Sequence, residues 1–214
     1  MFIQRIRVRF EKRGELRAIS HLDLMRAFER ALRRTGLPLR TSEGYNPRPR
    51  ISFPMPLGVG MEGLDEAMTF DLDGWVHPAE IAQRLAEQLP AGLKARSLAA
   101  VSPHETAQCE EVVYELSPKR SGHYDARLSL AALAEFMARS HVLVRRLRKG
   151  KEKEVDIRPF VLDLARKDDR LRFRFKASPL GSTRPEEVLA AMGIDAAVCR
   201  KDYAIVRTRV KLAE

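Results

Sequence analysis

An α+β fold with antiparallel sheets, built as two tandem units of the ferredoxin-like order β-α-β-β-α-β, is what this sequence predicts. Three observations predict it. Period-two alternation recurs in segments of strand length, as in FIQRIRVRF. Helical stripes with capping signals separate these segments. The same order of elements then runs a second time after the polar joint SPHETAQ, as a repeat of pattern and not of sequence. The expected units are 1–103 and 104–214, each of ordinary domain size.

The elements follow in order. In FIQRIRVRF, Phe2, Ile6, Val8 and Phe10 fall on one face and Arg5, Arg7 and Arg9 on the other, the mark of a half-buried strand. Ser20 and Asp23 form a capping box at the start of a helix striped by Leu24, Met25, Phe28, Ala31 and Leu32. Gly36 and Pro38 stop it, and Arg26, Arg30, Arg33 and Arg34 lie mostly off the stripe. LPLRT is a short extended piece and EAMTFDLD an alternating strand. His77 and Pro78 open a second helix with Ile81, Leu85 and Leu89 as its stripe, and LKARSLAAV closes the unit. In the second unit EEVVYEL reads as a strand, and LSLAALAEFMAR as a helix striped by Leu130, Leu133, Phe136 and Met137. Residues 141–178 hold three expected strands, with turns at Lys149-Gly150 and Asp168-Asp169. A Thr183–Glu186 capping box starts the helix EEVLAAM, and DYAIVRTRVKL is the last strand.

One stretch breaks the alternation. SEGYNPRPRISFPMPLGVG holds four prolines, Pro47, Pro49, Pro54 and Pro56. Proline has no N–H for a sheet ladder. The stretch therefore reads as a stiff basic loop, SEGYNPRPR, followed by an edge strand, ISFPMPLGVG.

Composition narrows the function. Hydrophobic residues make up 44% and charged residues 32%, so the chain can bury a core. The net charge is +10, carried by 29 Arg and 10 Lys. Guanidinium is a planar, bidentate phosphate reader, so this balance points to an anionic polymer, nucleic acid first. A GC-rich coding sequence would write the same excess of Arg over Lys. The charge is blocked: residues 1–58 carry net +8, 59–103 net −4 and 139–184 net +9. Three strands show basic rows: Arg5, Arg7 and Arg9; Arg170, Arg172, Arg174 and Lys176; Arg207, Arg209 and Lys211. A sheet face of this kind is where RNA-recognition modules bind, although here the strand aromatics share the apolar face. The competing reading is a solvated face blunted by charge.

Other chemistries are excluded or weak. Cys109 and Cys199 are the two cysteines, too few for a zinc ribbon or a cysteine-ligated cluster, and both read as small buried hydrophobes of a reducing compartment. The charged N-terminus is unlike a signal peptide and no apolar run reaches membrane length, so a cytoplasmic location is expected. No Walker loop, G-x-G-x-x-G or G-x-S-x-G occurs, and GVGMEG reads as a turn. His21 is a weak candidate acid or base at a helix start, while His77, His104, His123 and His141 lack metal-ligand spacing. Ser182, Thr183 and Arg184 could form an anion site at a helix N-terminus, but capping explains Thr183 and Glu186 without a ligand.

HLDLMRAFERALRRTGLPLRTSEGYNPRPRISFPMPLGVG, followed by VDIRPFV and GSTRPEEVL, resembles the radical-SAM-linked protein family. This is a bacterial domain of uncharacterised function found beside, or fused behind, B12-binding radical SAM proteins. The likeness spans essentially the whole chain and falls on His21, Arg26, Gly36, Ser42, Gly44, Tyr45, Asn46, Pro47, Ile51, Phe53, Pro56, Leu57 and Gly58, then on Asp156, Arg158, Arg184 and Pro185. At Tyr45 the family commonly has Phe, and Arg50 often appears as Lys. The resemblance carries over no catalytic residue. It implies an accessory role in which a radical SAM enzyme encoded nearby holds the iron–sulfur cluster, S-adenosylmethionine and cobalamin, and this chain binds none of them.

The expected function is then a non-catalytic RNA-binding or substrate-presenting partner in tRNA or rRNA modification. Arg5, Arg7, Arg9, Arg26, Arg30, Arg48 and Arg50 would hold phosphate, with Tyr45 and Asn46 near a base, and Arg158, Arg172, Arg174 and Arg184 would add to the RNA or anion surface of the second half. Two alternatives stand beside it. One is a metal-independent ribonuclease of the CRISPR-transcript-processing type with His21 as base, for which the chain lacks a glycine-rich C-terminal loop. The other is a protein-docking scaffold with no nucleic acid.

Overall fold

Strand β1 (Ile3–Lys12) realises the alternation of its sequence: Ile6, Val8 and Phe10 are fully buried, and Arg5, Arg7 and Arg9 occupy the opposite, half-exposed face. The computed structural model to which it belongs describes residues 2–119, 125–148, 150–167, 170–178 and 181–213. The architecture is mixed α+β with mostly antiparallel sheet, and the chain divides into two units, Met1–Gln108 with Leu212–Glu214, and Cys109–Lys211.

In the first unit β1 lies between β3 (Glu62–Asp73) and β4 (Leu93–Val101), antiparallel to both, and a short β2 (Ile51–Ser52) lies on β3. The register Ile6↔Phe70, Val8↔Met68 and Val8↔Leu98 sets apolar side chains side by side. Helices α1 (His21–Arg34) and α2 (Pro78–Gln88) complete the core with Leu24, Phe28, Ala31, Leu32, Ile81 and Leu85. The Phe10 and Phe28 rings meet edge to face at 4.8 Å, and a fully buried ring of this kind contributes roughly 1.5–3 kcal/mol by leaving water. Ser20 caps α1 by accepting the Asp23 N–H, and its hydroxyl donates to the Asp23 carboxylate at 2.7 Å. His77 Nδ1 accepts the Ala79 N–H at the start of α2. Where α2 ends, Gly92 (φ +89°) lets Arg13 N–H reach its carbonyl at 2.8 Å, and a Cβ at Gly92 would stand 2.7 Å from the Arg13 oxygen.

Strand β3 starts earlier than EAMTFDLD and buries both faces, Ala67, Thr69 and Asp71 as well as Glu66, Met68, Phe70 and Leu72. Its C-terminal end organises the chain between α1 and β2. Leu39 bridges Leu72, and Arg40 N–H donates to Asp71 O. Residues 40–50 then double back as a narrow ribbon: Thr41 bridges Pro49, Ser42 N–H donates to Arg48 O at 2.8 Å, and Arg50 N–H donates to Arg40 O at 2.9 Å. Pro49 is buried while the rest of 41–50 is exposed. The edge strand expected over ISFPMPLGVG is shorter than that. Pairing ends at Ser52, Phe53 turns onto Phe28 and His21, and Pro54 and Pro56 have no N–H to extend the ladder.

In the second unit the sheet order is β10 (Tyr203–Leu212), β5 (Cys109–Pro118), β9 (Arg170–Lys176), β8 (Val161–Lys167). Val112, Tyr114, Leu116, Phe173 and Phe175 are buried with Leu133 and Phe136 of α3 (Leu130–Ala138). The hairpin β6 (Leu143–Arg148) and β7 (Lys151–Asp156) forms a separate two-stranded sheet, so residues 141–178 hold four strands and not three. Gly150 turns between them at φ +76°; Lys149 and the expected Asp168-Asp169 turn lie outside the described residues. Leu130, assigned to the helix stripe, is the first residue of α3 and is 67% exposed. The box expected at Thr183–Glu186 sits one residue later. Helix α4 (Pro185–Ala191) has Arg184 as its N-cap, and Glu187 accepts the Arg184 N–H at 3.1 Å. Helix α5 (Ala196–Asp202), unforeseen, is capped by Asp195 and leads into β10. With β6 and β7 set aside, the two units share one permutation: last strand beside first, first beside third, third beside second.

Candidate nucleic-acid interface

The strand arginines have carboxylate company. Arg5 and Asp71 are directly opposite in the β1–β3 ladder and form a bidentate pair at 2.7 and 2.9 Å, with a third bond from Arg5 to Glu105 O at 2.9 Å. The Asp71 hydrogen bond raises the Arg5 pKa above its ordinary value, so the guanidinium is held charged. Arg7 pairs with Glu105, and Arg9 with Asp65 at 3.6 Å. In the second unit Arg174 takes Glu111 in two bonds of 2.9 Å, Arg170 takes Glu115 at 2.8 Å, and Arg172 stands 3.7 Å from Asp163. The Arg174 hydrogen bond lowers the Glu111 pKa. The row expected on β10 is also altered: Arg207 is fully buried with its guanidinium 5.9 Å over the Tyr114 ring, whereas Arg209 and Lys211 are exposed.

The second-unit motif residues have structural work of their own. Arg158 donates to the carbonyls of Met137 at 2.7 Å and Arg139 at 3.1 Å, which satisfies acceptors left open at the end of α3, and to Val161 O at the start of β8 at 2.9 Å. Asp156 accepts the Val142 and Arg158 N–H groups and the His141 ring; the Val142 bond first, then His141, lowers its pKa. Thr183 is 1% exposed with its hydroxyl on Glu187 at 3.0 Å. The Glu187 carboxylate thus stands where an anion at Ser182–Thr183–Arg184 would sit, and Arg184 itself points to solvent.

Helix α1 and the 40–50 ribbon differ. Arg26 makes one exposed contact, 3.3 Å to Asp23. Arg30, Arg48 and Arg50 are exposed and have no ion pair among the described residues. Arg33 donates to Pro47 O at 2.7 Å and so fixes the ribbon against the helix. At the ribbon tip Tyr45 is 100% exposed, beside Asn46 and next to Gly44 at φ +129°. This surface offers phosphate-binding donors without an ion pair to break, and a ring with both faces open. Arg26, Arg30, Tyr45, Asn46, Arg48 and Arg50 are the predicted residues that the fold brings onto one helix and its attached ribbon.

His21 stands in the first turn of α1 with its ring edge-on to Phe53 at 5.1 Å, a packing contact. His77 caps a helix, His141 pairs with Asp156, and His123 lies outside the described residues. No group of three or more His, Cys, Asp or Glu side chains that could hold a metal occurs among the described residues. No described helix is long and apolar enough to cross a membrane. Phe2, assigned to the apolar face of β1, is 61% exposed because it precedes the strand, and a second exposed ring, Trp75 at 64%, escaped the sequence reading. A signal was present, since Trp75 is the chain's one tryptophan and sits in the break GWVHP between a strand and a helix.

These features define an α+β protein with an arginine-bearing helix and ribbon. Over residues 5–191 the chain matches the model of the uncharacterized proteins conserved in bacteria designated DUF2344, and it belongs to that family. No curated protein matches it.

Proposed function

We propose that this protein is a non-catalytic RNA-binding or substrate-presenting partner of a B12-binding radical SAM enzyme in tRNA or rRNA modification, and that it holds RNA on α1 and the 40–50 ribbon. The observation that carries the RNA half is the set Arg30, Arg48 and Arg50, exposed and without carboxylate partners among the described residues, on the helix and the ribbon that bears the fully exposed Tyr45. The radical SAM half rests on the sequence resemblance. Two cysteines cannot supply the three that such a cluster needs, so the cluster, S-adenosylmethionine and cobalamin belong to the partner in this reading. The shared strand permutation supports reading the units as two ferredoxin-like modules, the second carrying the β6–β7 hairpin as an insertion.

Binding of labelled tRNA and rRNA fragments at two ionic strengths tests the RNA half. Phosphate contacts predict an affinity that falls steeply with salt. Weak, salt-insensitive binding overturns it. Copurification of the neighbouring radical SAM protein after nuclease treatment tests the partner half.

A further inference from the structure

Two more exposed rings lie at the C-terminal end of β3, where the ribbon that bears Tyr45 begins. Gly74 N–H donates to Phe2 O at 2.9 Å, so the exposed Phe2 and Trp75 leave the backbone from neighbouring positions. The Trp75 ring meets His77 edge-on at 5.8 Å. The ribbon that carries Tyr45 departs from the same place. Asp73 N–H donates to Pro38 O at 2.8 Å, and the Arg40 guanidinium at the ribbon's base pairs with Asp73 at 3.1 Å. One strand end therefore carries two exposed rings and the base of an arginine-bearing ribbon, whose tip carries the third ring, Tyr45.

Rings and arginines together select a form of RNA. Arginines alone serve any phosphate chain. In an A-form duplex the bases are stacked on one another, and a protein meets phosphates and 2′-hydroxyls. Unpaired bases offer π-faces whatever their sequence, and aromatic side chains beside a basic track are how single strands are held. We propose that Tyr45, Trp75 and Phe2 are stacking platforms for unpaired bases, and that the ligand is a single-stranded RNA segment with its phosphates on Arg30, Arg48 and Arg50. This rests on the RNA-binding reading above and names its substrate class.

Trp75 supplies the probe, because it is the only tryptophan in the chain. The full-length protein is titrated with an unstructured RNA of about 12 nucleotides, a length within the usual span of a single-strand site. The same strand annealed to its complement is the second ligand. Anisotropy of labelled RNA and tryptophan fluorescence are read together. The single strand should bind at least about tenfold tighter than the duplex and quench Trp75. Trp75→Ala and Tyr45→Ala should each weaken single-strand binding roughly tenfold, and Tyr45→Phe should not. The rings are exposed, so these variants should keep the wild-type Tm. Equal affinity for duplex and single strand, or wild-type affinity in Trp75→Ala, overturns stacking and leaves the RNA reading standing. If Trp75→Ala keeps RNA affinity but loses copurification of the radical SAM protein, the patch is a protein-docking surface and the proposal falls. Absence of salt-dependent binding to either ligand overturns both.

Discussion

The arginines of the sheet faces and those of α1 with its ribbon share one chemistry and differ in their neighbours. Arg5 is gripped by Asp71 through two hydrogen bonds, and Arg174 is gripped by Glu111 in the same manner. A phosphate arriving there must displace a carboxylate already in place. Arg30, Arg48 and Arg50 meet no such competitor among the described residues. A net charge of +10 therefore overstates the binding surface, because the strand rows serve largely to hold strands together.

That contrast can be broken by substitution, beginning with the largest effect. Arg5→Ala leaves Asp71, only 5% exposed, without its counterion, and should cost roughly 3 kcal/mol in urea unfolding while RNA affinity stays unchanged. A loss of RNA affinity without a loss of stability would reverse the assignment of the two regions. The combined Arg30→Glu, Arg48→Glu, Arg50→Glu variant should do the opposite. RNA affinity should fall roughly 100-fold, about 2.7 kcal/mol, with an unchanged Tm. The slope of log affinity against log salt should shrink by about 2, at ~0.7 per single-strand phosphate contact.

Glu187 sharpens the contrast from the second unit. Burial works to raise its pKa, but the bonds from Arg146 at 2.7 and 2.8 Å, with those from Thr183 and the Arg184 N–H, outweigh it and hold the carboxyl below its ordinary 4.5. A group depressed in the folded state adds stability that is complete above its unfolded pKa and disappears as pH falls through the folded value. Glu187→Gln should therefore cost about 1–2 kcal/mol at neutral pH, and the difference from wild type should vanish as the pH drops below about 4.5. Thermal melts across that range check it; a pH-independent difference would mean that the pair is not the source. Smallest is Ser20→Ala, which removes the α1 cap and should lower stability by about 1 kcal/mol while RNA affinity holds.

What the sequence revealed follows the range of each interaction. The Ser20–Asp23 cap, the β1 alternation and the stop at Gly36 are local and were legible. The partner of Arg5 lies 66 residues away, so its capture by Asp71 appears only after folding. Thr69 and Asp71 alternate like a solvent face, yet they are buried, 7% and 5% exposed, opposite Arg7 and Arg5. KEKEVD carries no apolar period and hid β7, which its pairing with β6 defines. For the candidate site, the ribbon residues were visible through their prolines and charge. The juxtaposition of Phe2 with Trp75 was not, since it depends on the pairing of Ile3 with Asp73, seventy residues apart.

The β6–β7 hairpin has a dynamic consequence. Two strands form its whole sheet, Leu143 and Leu147 remain 62% and 75% exposed, and Arg146 ties it to Glu187 of α4 by two hydrogen bonds. An isolated ribbon of two strands is marginal in water. Its amides should then exchange with solvent deuterium through a private opening, well ahead of those in β5 and β9, and the hairpin would breathe while the sheet beneath α3 stays closed.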